Sequence, residues 1–249
     1  MPTEQHLGFT HFLAQADGLG KFLLVVLIAM SMASWYFIIT KAITQFRQRR
    51  ESERFVESFW NASSLDAVRN EINTHGAHEP FSHLTSHALF AADHHSKIGH
   101  LNGGAKIEEA GSLADFLTRN MRKVIDEETA RLENGLTVLA TVGATAPFVG
   151  LLGTVWGVYG ALVAIGMSGA GTLDKVAGPV GEALIMTGLG LAVALPAVVA
   201  YNAFTRANRV TLARLDAFAH DLFAYLTTGG QVSQTNSGTP RLQAVAGGA

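Results

Sequence analysis

The chain has 249 residues, of which 48% are hydrophobic and 15% are charged, and its formal net charge is only −2. A charge so close to balance gives no electrostatic indication of a nucleic-acid partner or an acidic substrate. There is no cysteine, which excludes disulfide bonds, thiolate nucleophiles and cysteine-ligated zinc.

Apolar residues occur in blocks that are separated by charged stretches. A transmembrane helix needs about 20 mostly apolar residues, and the blocks reach that length. The pattern predicts an all-α membrane protein with three transmembrane helices and long cytoplasmic helical extensions.

Residues 1–20 mix polar and apolar side chains and are predicted to form a periplasmic segment, either a surface helix or a loosely ordered terminus.

Residues 21–40 form the first predicted transmembrane helix. No basic region precedes it, so we expect a retained helix and not a cleaved signal peptide. Basic residues follow at once, which by the positive-inside rule makes this end cytoplasmic and the N-terminus periplasmic. They are Lys41, Arg47, Arg49, Arg50 and Arg54.

Residues 41–133 carry most of the charged side chains and are predicted to form a cytoplasmic helical domain. One helix is expected from Pro80 to His95. Another is expected from Ser112 to Asn134, where no Gly or Pro intervenes, and it should run directly into the membrane.

The cytoplasmic domain is rich in histidine, and some of these residues have the helical spacing of a zinc-binding pair. No HExxH motif or nearby carboxylate set accompanies them, so we interpret them as a solvated surface. They are His75, His78, His83, His87, His94, His95 and His100.

The second half of the chain contains the other two predicted spans. Residues 134–165 form the second transmembrane helix, and residues 166–175 form a short periplasmic loop. Helices joined by so short a loop must be antiparallel neighbours. The remaining predicted segments are a third transmembrane helix at 176–204, a cytoplasmic helix at 205–227 and a disordered tail at 228–249.

Glycines recur at spacings of three and four along the second transmembrane helix, at Gly150, Gly153, Gly157 and Gly160. In lipid, such a small-residue face allows two helix backbones to approach closely. The spacing leaves open whether the partner helix belongs to the same chain or to another subunit. Thr154 lies at the edge of this face, where a threonine most often bonds its own helix.

Glu182 is the single charged residue in the apolar stretch from Val176 to Tyr201. A carboxylate in hydrocarbon costs on the order of 2.5–3.5 kcal/mol, so it is expected to face a packed interior or a wet path. Three interpretations remain: a structural hydrogen bond, a ligand for a translocated ion, or a proton-handling group. We favour ion or proton handling, with Thr187 near enough along the helix to share a water with Glu182.

No motif indicates catalysis. The chain has no Gly-rich phosphate loop with its lysine and no defensible set of nucleophile, base and orienting residue. We therefore predict that the protein is not an enzyme and uses no cofactor or metal.

Four segments resemble the MotA/TolQ/ExbB proton-channel family: LATVG at 139–143, APFVGLLGTVWG at 146–157, GEAL at 181–184 and PAVVAYN at 196–202. The likeness is dense from Leu132 to Arg206 and weak in the cytoplasmic domain and tail. One departure is Pro179, which stands three residues before Glu182, whereas the family pattern places a proline four before.

The resemblance implies an inner-membrane homopentamer whose second and third helices line a pore that encloses the transmembrane helices of ExbD. It implies that proton flow through this complex drives TonB, which energises outer-membrane uptake of iron-siderophores and similar nutrients. It also assigns the proton pathway to Glu182, Thr154 and Thr187, with an aspartate of ExbD as the charge partner. The alternatives are a TolQ-like subunit of the Tol-Pal envelope system and a non-conducting membrane scaffold.

Overall fold

Long α-helices account for nearly all of the described backbone. The computed structural model describes residues 17–101, 113–168 and 173–228. Within these ranges, the side chains of residues 95–101, 168, 173–179 and 182 are not described. Most of the predicted N-terminal segment, the tail beyond residue 228 and part of the predicted periplasmic loop lie outside the described residues.

The described ranges contain six helices. They are α1 (Gly18–Asn61), α2 (Leu65–His75), α3 (Pro80–Leu101), α4 (Leu113–Glu133), α5 (Leu136–Ser168) and α6 (Leu173–Thr228). The described residues contain no strand. The predicted all-α class is therefore confirmed.

Three stretches of helix are long and apolar enough to cross a membrane: Gly18–Asn61, Leu113–Met167 and Ala183–Thr228. They correspond in order to the three predicted transmembrane helices. The helix of the first stretch continues far beyond the predicted boundary at residue 40, and that of the third continues to Thr228 without a break. The part of the chain that the structure describes thus holds three helices able to span a membrane, as the sequence predicts.

One expectation about the helices was wrong. The second span was expected to continue from the preceding helix without interruption, but α4 ends at Glu133 and α5 begins at Leu136. Gly135, in the turn between them, has a φ of 79°. Residues other than glycine adopt such a φ at a cost, so this glycine ends α4 in the usual manner of a C-terminal cap.

The helices divide into two units. The first unit contains the described residues up to Glu57 together with Glu127–Leu212, and it holds the larger part of each of the three apolar stretches. Its core is made by α1, α5 and α6, with fully buried side chains from each, including Leu27, Leu139 and Ala197. This core places α5 against α6, which is the contact that carries the candidate site.

The second unit comprises Ser58–Asp126 and the residues from Ala213 onward. Phe218 is buried in this unit, and its ring centroid lies 5.2 Å from that of Phe59 and 5.5 Å from that of Phe81. The edge-on geometry of both pairs is favourable for aromatic rings. Short helices here begin at side-chain caps: the Ser64 hydroxyl accepts from the amide of Ala67 at 3.2 Å.

Candidate functional site

The helices α5 and α6 are in backbone contact at two glycines. A Cβ atom added to Gly150 would lie 2.5 Å from the carbonyl oxygen of Met186 and 3.0 Å from the Cα of Gly190. A Cβ added to Gly190 would lie 2.6 Å from the carbonyl oxygen of Ala146. Neither position has room for a side chain, so the two helices approach as closely as their backbones allow.

Two further glycines of the predicted small-residue face extend this contact toward the end of α5. A Cβ at Gly153 would meet the side chain of Met186 at 2.8 Å, and one at Gly157 would meet the Cβ of Ala183 at 2.9 Å. Gly160 differs, because no described atom lies within 4 Å of the position of its Cβ. Three of the four glycines therefore pack inside this chain, and Gly160 has no such contact among the described residues.

Thr154 lies within this glycine-lined contact and is buried, with 9% of its surface exposed. Its hydroxyl oxygen is 3.2 Å from the carbonyl oxygen of Gly150 in its own helix and 3.0 Å from that of Ala183 in α6. It is also 2.5 Å from the hydroxyl oxygen of Thr187. The structure thus brings together Thr154 and Thr187, two of the three residues assigned to the proton pathway.

Thr154 and Thr187 can form their shared hydrogen bond in either direction. A threonine hydroxyl has one hydrogen to donate and two lone pairs that accept. Thr154 either donates to a carbonyl and accepts from Thr187, or it donates to Thr187. A switch between these arrangements needs only rotation of two hydroxyl groups, and it reverses the direction of the hydrogen bond across the helix contact.

Glu182, the third predicted residue, belongs to the backbone of α6, and its side chain lies outside the described residues. The contacts of the next residue locate its backbone: Ala183 packs against Gly157, and its carbonyl oxygen accepts a hydrogen bond from Thr154. The backbone of Glu182 is therefore adjacent to the threonine pair.

Charge is scarce around the site. Between Leu136 and Thr205 the sequence contains only three charged residues, Asp174, Lys175 and Glu182. The first two precede Glu182 by about two turns of helix at 3.6 residues per turn. Neither α5 nor the part of α6 from residue 183 to residue 205 supplies a charged partner for Glu182.

The histidine-rich surface does not assemble a metal centre in the described part of the chain, where no group of three or more His, Asp or Glu side chains is placed to hold an ion. His83 and His87 lie edge to face on α3 with ring centroids 4.7 Å apart. His94 stacks on Phe116 at 6.5 Å. The side chains of His95 and His100 lie outside the described residues.

Several residues that shape the site were not singled out by sequence reasoning. The sequence did not predict the pairing of Gly190 with Gly150 or the packing of Met186 against Gly153. Gly190 and Met186 both lie on the buried face of α6. The signal for that face was available, since Ala183, Met186, Gly190, Ala194 and Ala197 recur at helical spacing.

Comparison with known proteins gives this arrangement a context. The sequence profile of the MotA/TolQ/ExbB proton channel family matches residues 84–217, which is more than half of the chain. The chain belongs to the MotA/TolQ/ExbB proton channel family. The matched range includes the glycine contact, both threonines and Glu182.

Relatives within the MotA/TolQ/ExbB family cover most of the chain. It is 45% identical to a biopolymer transport protein ExbB of Xanthomonas campestris pv. campestris (strain B100), over 91% of each sequence. It is 36% identical to an ExbB of Neisseria meningitidis serogroup A, over 81% of this chain and 89% of that protein. A Tol-Pal system protein TolQ of Pseudomonas aeruginosa is 29% identical over 89% of this chain and 93% of its own length.

Proposed function

We propose that the chain is the proton-channel subunit of an inner-membrane complex that works with ExbD and uses the proton motive force to drive TonB. The energy supports outer-membrane uptake of iron-siderophores and similar nutrients. Membership of the proton channel family supports the channel role, and 45% identity to an ExbB supports the choice of transport system. The observation that carries the proposal is the threonine pair at the helix contact beside Glu182.

In this proposal, Glu182 is the group that loads and releases the proton. Removal of a carboxyl group from water disfavours its charged form, which suits a group that must be protonated and deprotonated in each cycle. Thr154 and Thr187 supply hydroxyl groups that accept or donate according to the protonation state of the path. The glycine contact holds these hydroxyls in a constant geometry on two helices.

The complex is a homopentamer in which α5 and α6 line the pore around the transmembrane helices of ExbD. The absence of a second carboxyl group in α5 and in residues 183–205 supports a proton-exchange partner from outside the chain, and an aspartate of ExbD supplies that second carboxyl group. Gly160, which packs against nothing described in this chain, is available for contact with a neighbouring subunit.

The orientation follows from charge. The basic residues after residue 40 place the end of the first span in the cytoplasm, so the N-terminus is periplasmic. The segment between α5 and α6 is then periplasmic as well. The second unit and the extension of α6 to Thr228 are cytoplasmic.

A test of the transport role is complementation. A host that lacks its own ExbB-type protein should recover growth on a ferric siderophore when it receives this chain together with its ExbD. Glu182→Gln should abolish that growth while the protein remains inserted and assembled, whereas Glu182→Asp should retain part of it. Full growth of Glu182→Gln at equal protein level would rule out proton handling by Glu182.

A second candidate is the TolQ role in the Tol-Pal envelope system, which the 29% identity to the Pseudomonas TolQ supports. The two candidates differ in the host that is rescued. The TolQ role replaces the ExbB role if the chain restores detergent resistance to a host without TolQ but does not restore siderophore-dependent growth to a host without its ExbB-type protein. The non-conducting scaffold differs from both candidates, because its assembled complex would pass no protons in reconstituted vesicles.

A further inference from the structure

Donors from two helices converge on one carbonyl group at the end of α4. The ammonium nitrogen of Lys41, on α1, donates to the carbonyl oxygen of Leu132 at 2.8 Å. The amide nitrogen of Asn208, on α6, donates to the same oxygen at 2.7 Å. Gln45, also on α1, donates to the amide oxygen of Asn208 at 3.3 Å. All of these residues belong to the first unit.

The position of Leu132 explains why its carbonyl attracts donors. It lies in the last turn of α4, where carbonyl groups lose the amide partners that the next turn of helix would supply. The carbonyl end of a helix also carries partial negative charge, which favours a cation such as Lys41. Asn208 has only 6% of its surface exposed, so loss of its hydrogen bonds would leave a buried amide unsatisfied.

The turn that follows is a natural point of bending. Gly135 has a φ of 79°, and it is one of two glycines with positive φ in the described backbone. A Cβ at this position would lie 2.5 Å from a ring carbon of Phe37 on α1. The chain therefore passes through a two-residue joint, Asn134 and Gly135, with α1 against it and α6 bonded beside it.

We propose that this joint is a hinge between the end of α4 and the pore helix α5, and that Lys41 and Asn208 lock it at one angle. Each donor is a positioning residue that acts through the Leu132 carbonyl. With both donors present, the end of α4 moves with α1, α5 and α6 as one body. With neither, the end of α4 is joined to α5 only through the glycine turn and can change its direction independently.

Because Lys41 and Asn208 share one acceptor, the proposal predicts that the effects of replacing them are not additive. Either donor alone still satisfies the Leu132 carbonyl, so loss of one should change the joint little. Loss of both should change it by more than the sum of the two single effects. Two residues that merely fill space at separate places would give additive effects.

The test is a distance measurement across the joint in the full chain, assembled in its complex. The protein has no cysteine, so spin labels attach only to introduced ones. Ala130→Cys and Thr141→Cys place labels on exposed positions on either side of the joint. Dilution of labelled chain with unlabelled chain removes distances between subunits.

In the wild-type background we expect one narrow distance distribution by pulsed electron paramagnetic resonance. Lys41→Met or Asn208→Leu alone should widen it slightly, and the two together should at least double its width. Lys41→Arg, which keeps a charged donor, should retain the wild-type width. Gln45→Leu, which removes only the outer hydrogen bond, is the matched control and should also stay narrow.

A double variant with the wild-type width, or with the plain sum of the single effects, would overturn the lock. If the double variant does not assemble, Lys41→Met combined with the smaller change Asn208→Ala takes its place, and a width equal to the sum of the single effects overturns the proposal. None of these outcomes depends on whether protons pass at Glu182.

Discussion

The hydroxyl oxygens of Thr154 and Thr187 lie 2.5 Å apart across the contact between α5 and α6. Thr154 also reaches the carbonyl oxygen of Ala183, the residue that follows Glu182. A polar link between two apolar helices therefore lies beside Glu182, about one turn of helix from the close backbone approach at Gly150.

This link predicts the effect of removing one hydroxyl. Thr154→Val keeps the shape of the side chain and loses its hydrogen bonds, and we expect proton flux through the reconstituted complex to fall by about tenfold, the equivalent of one hydrogen bond of about 1.4 kcal/mol. Thr154→Ser keeps the hydroxyl and should retain most of the flux.

Thr187→Val should reduce proton flux by a smaller factor than Thr154→Val does. Thr187 is less buried than Thr154, so a water can take the place of its lost hydroxyl. Flux would be measured with a pH-sensitive dye inside proteoliposomes at equal amounts of assembled complex. Normal flux in both valine variants would remove the threonines from the proton path.

The glycine contact predicts a large difference between two identical substitutions. Gly150→Ala would place a methyl group 2.5 Å from a backbone oxygen of α6, which cannot move aside as a flexible side chain can. We expect a loss of about 1–3 kcal/mol of stability from this overpacking.

Gly160→Ala is the matched control, since no described atom lies within 4 Å of its Cβ position. It should leave the thermal stability of the isolated chain unchanged or slightly higher, because alanine favours helix by about 1 kcal/mol over glycine. If Gly160 packs against another subunit, the same variant should weaken the oligomer, as seen by native mass spectrometry. Equal stability losses in both variants would contradict the close approach at Gly150.

The hydrogen bonds of Asp17 predict that its contact with Trp156, at the start of α1, depends on pH. Its carboxylate accepts from the indole N–H of Trp156 at 2.5 Å and from the amide of Gly20 at 2.8 Å. These hydrogen bonds hold the pKa of Asp17 below its ordinary value of 3.8. The bond from Trp156 has the largest effect, that from Gly20 a smaller one, and the positive charge of Lys21 adds a still smaller effect in the same direction.

A carboxyl group with a lowered pKa stabilises the fold at pH above its unfolded value, and that stabilisation is lost as the pH falls through the lowered pKa. The Trp156 contact should therefore persist at pH 5 and disappear only below pH 3.8. Fluorescence of Trp156, measured with Trp35 and Trp60 replaced by phenylalanine, reports the contact. Asp17→Asn should abolish the titration, and a midpoint at or above 3.8 would contradict the assigned hydrogen bond.

The orientation can be tested with single cysteines in a chain that has none. Met167 is 85% exposed near the end of α5, and His94 is exposed on α3. A thiol reagent that cannot cross the inner membrane should label Met167→Cys in whole cells and leave His94→Cys unlabelled until the cells are broken. The reverse pattern would place the N-terminus in the cytoplasm.

The sequence predicted those features that depend on local composition. Apolar length identified the three spans, and a spacing of three and four identified the glycine face of α5. Periodicity defines a face of one helix but not which helix it meets, so the pairing of Gly150 with Gly190 became visible only in the structure.

The joint between α4 and α5 shows the same limit. The absence of Gly and Pro up to Asn134 suggested a continuous helix, yet Gly135 is the next residue and ends α4 with a positive φ. The bonds of Lys41 and Asn208 to Leu132 connect residues that lie far apart in the sequence. No local pattern predicts such contacts, because they depend on how the helices pack.

The central claim is that Glu182 handles the proton that crosses this protein. The most direct measurement is proton flux in proteoliposomes that contain the assembled complex under an imposed pH gradient, with wild type, Glu182→Gln and Glu182→Asp compared at equal subunit content. We expect flux in wild type, none above the background of empty vesicles in Glu182→Gln, and a reduced flux in Glu182→Asp. Wild-type flux in Glu182→Gln would contradict the claim.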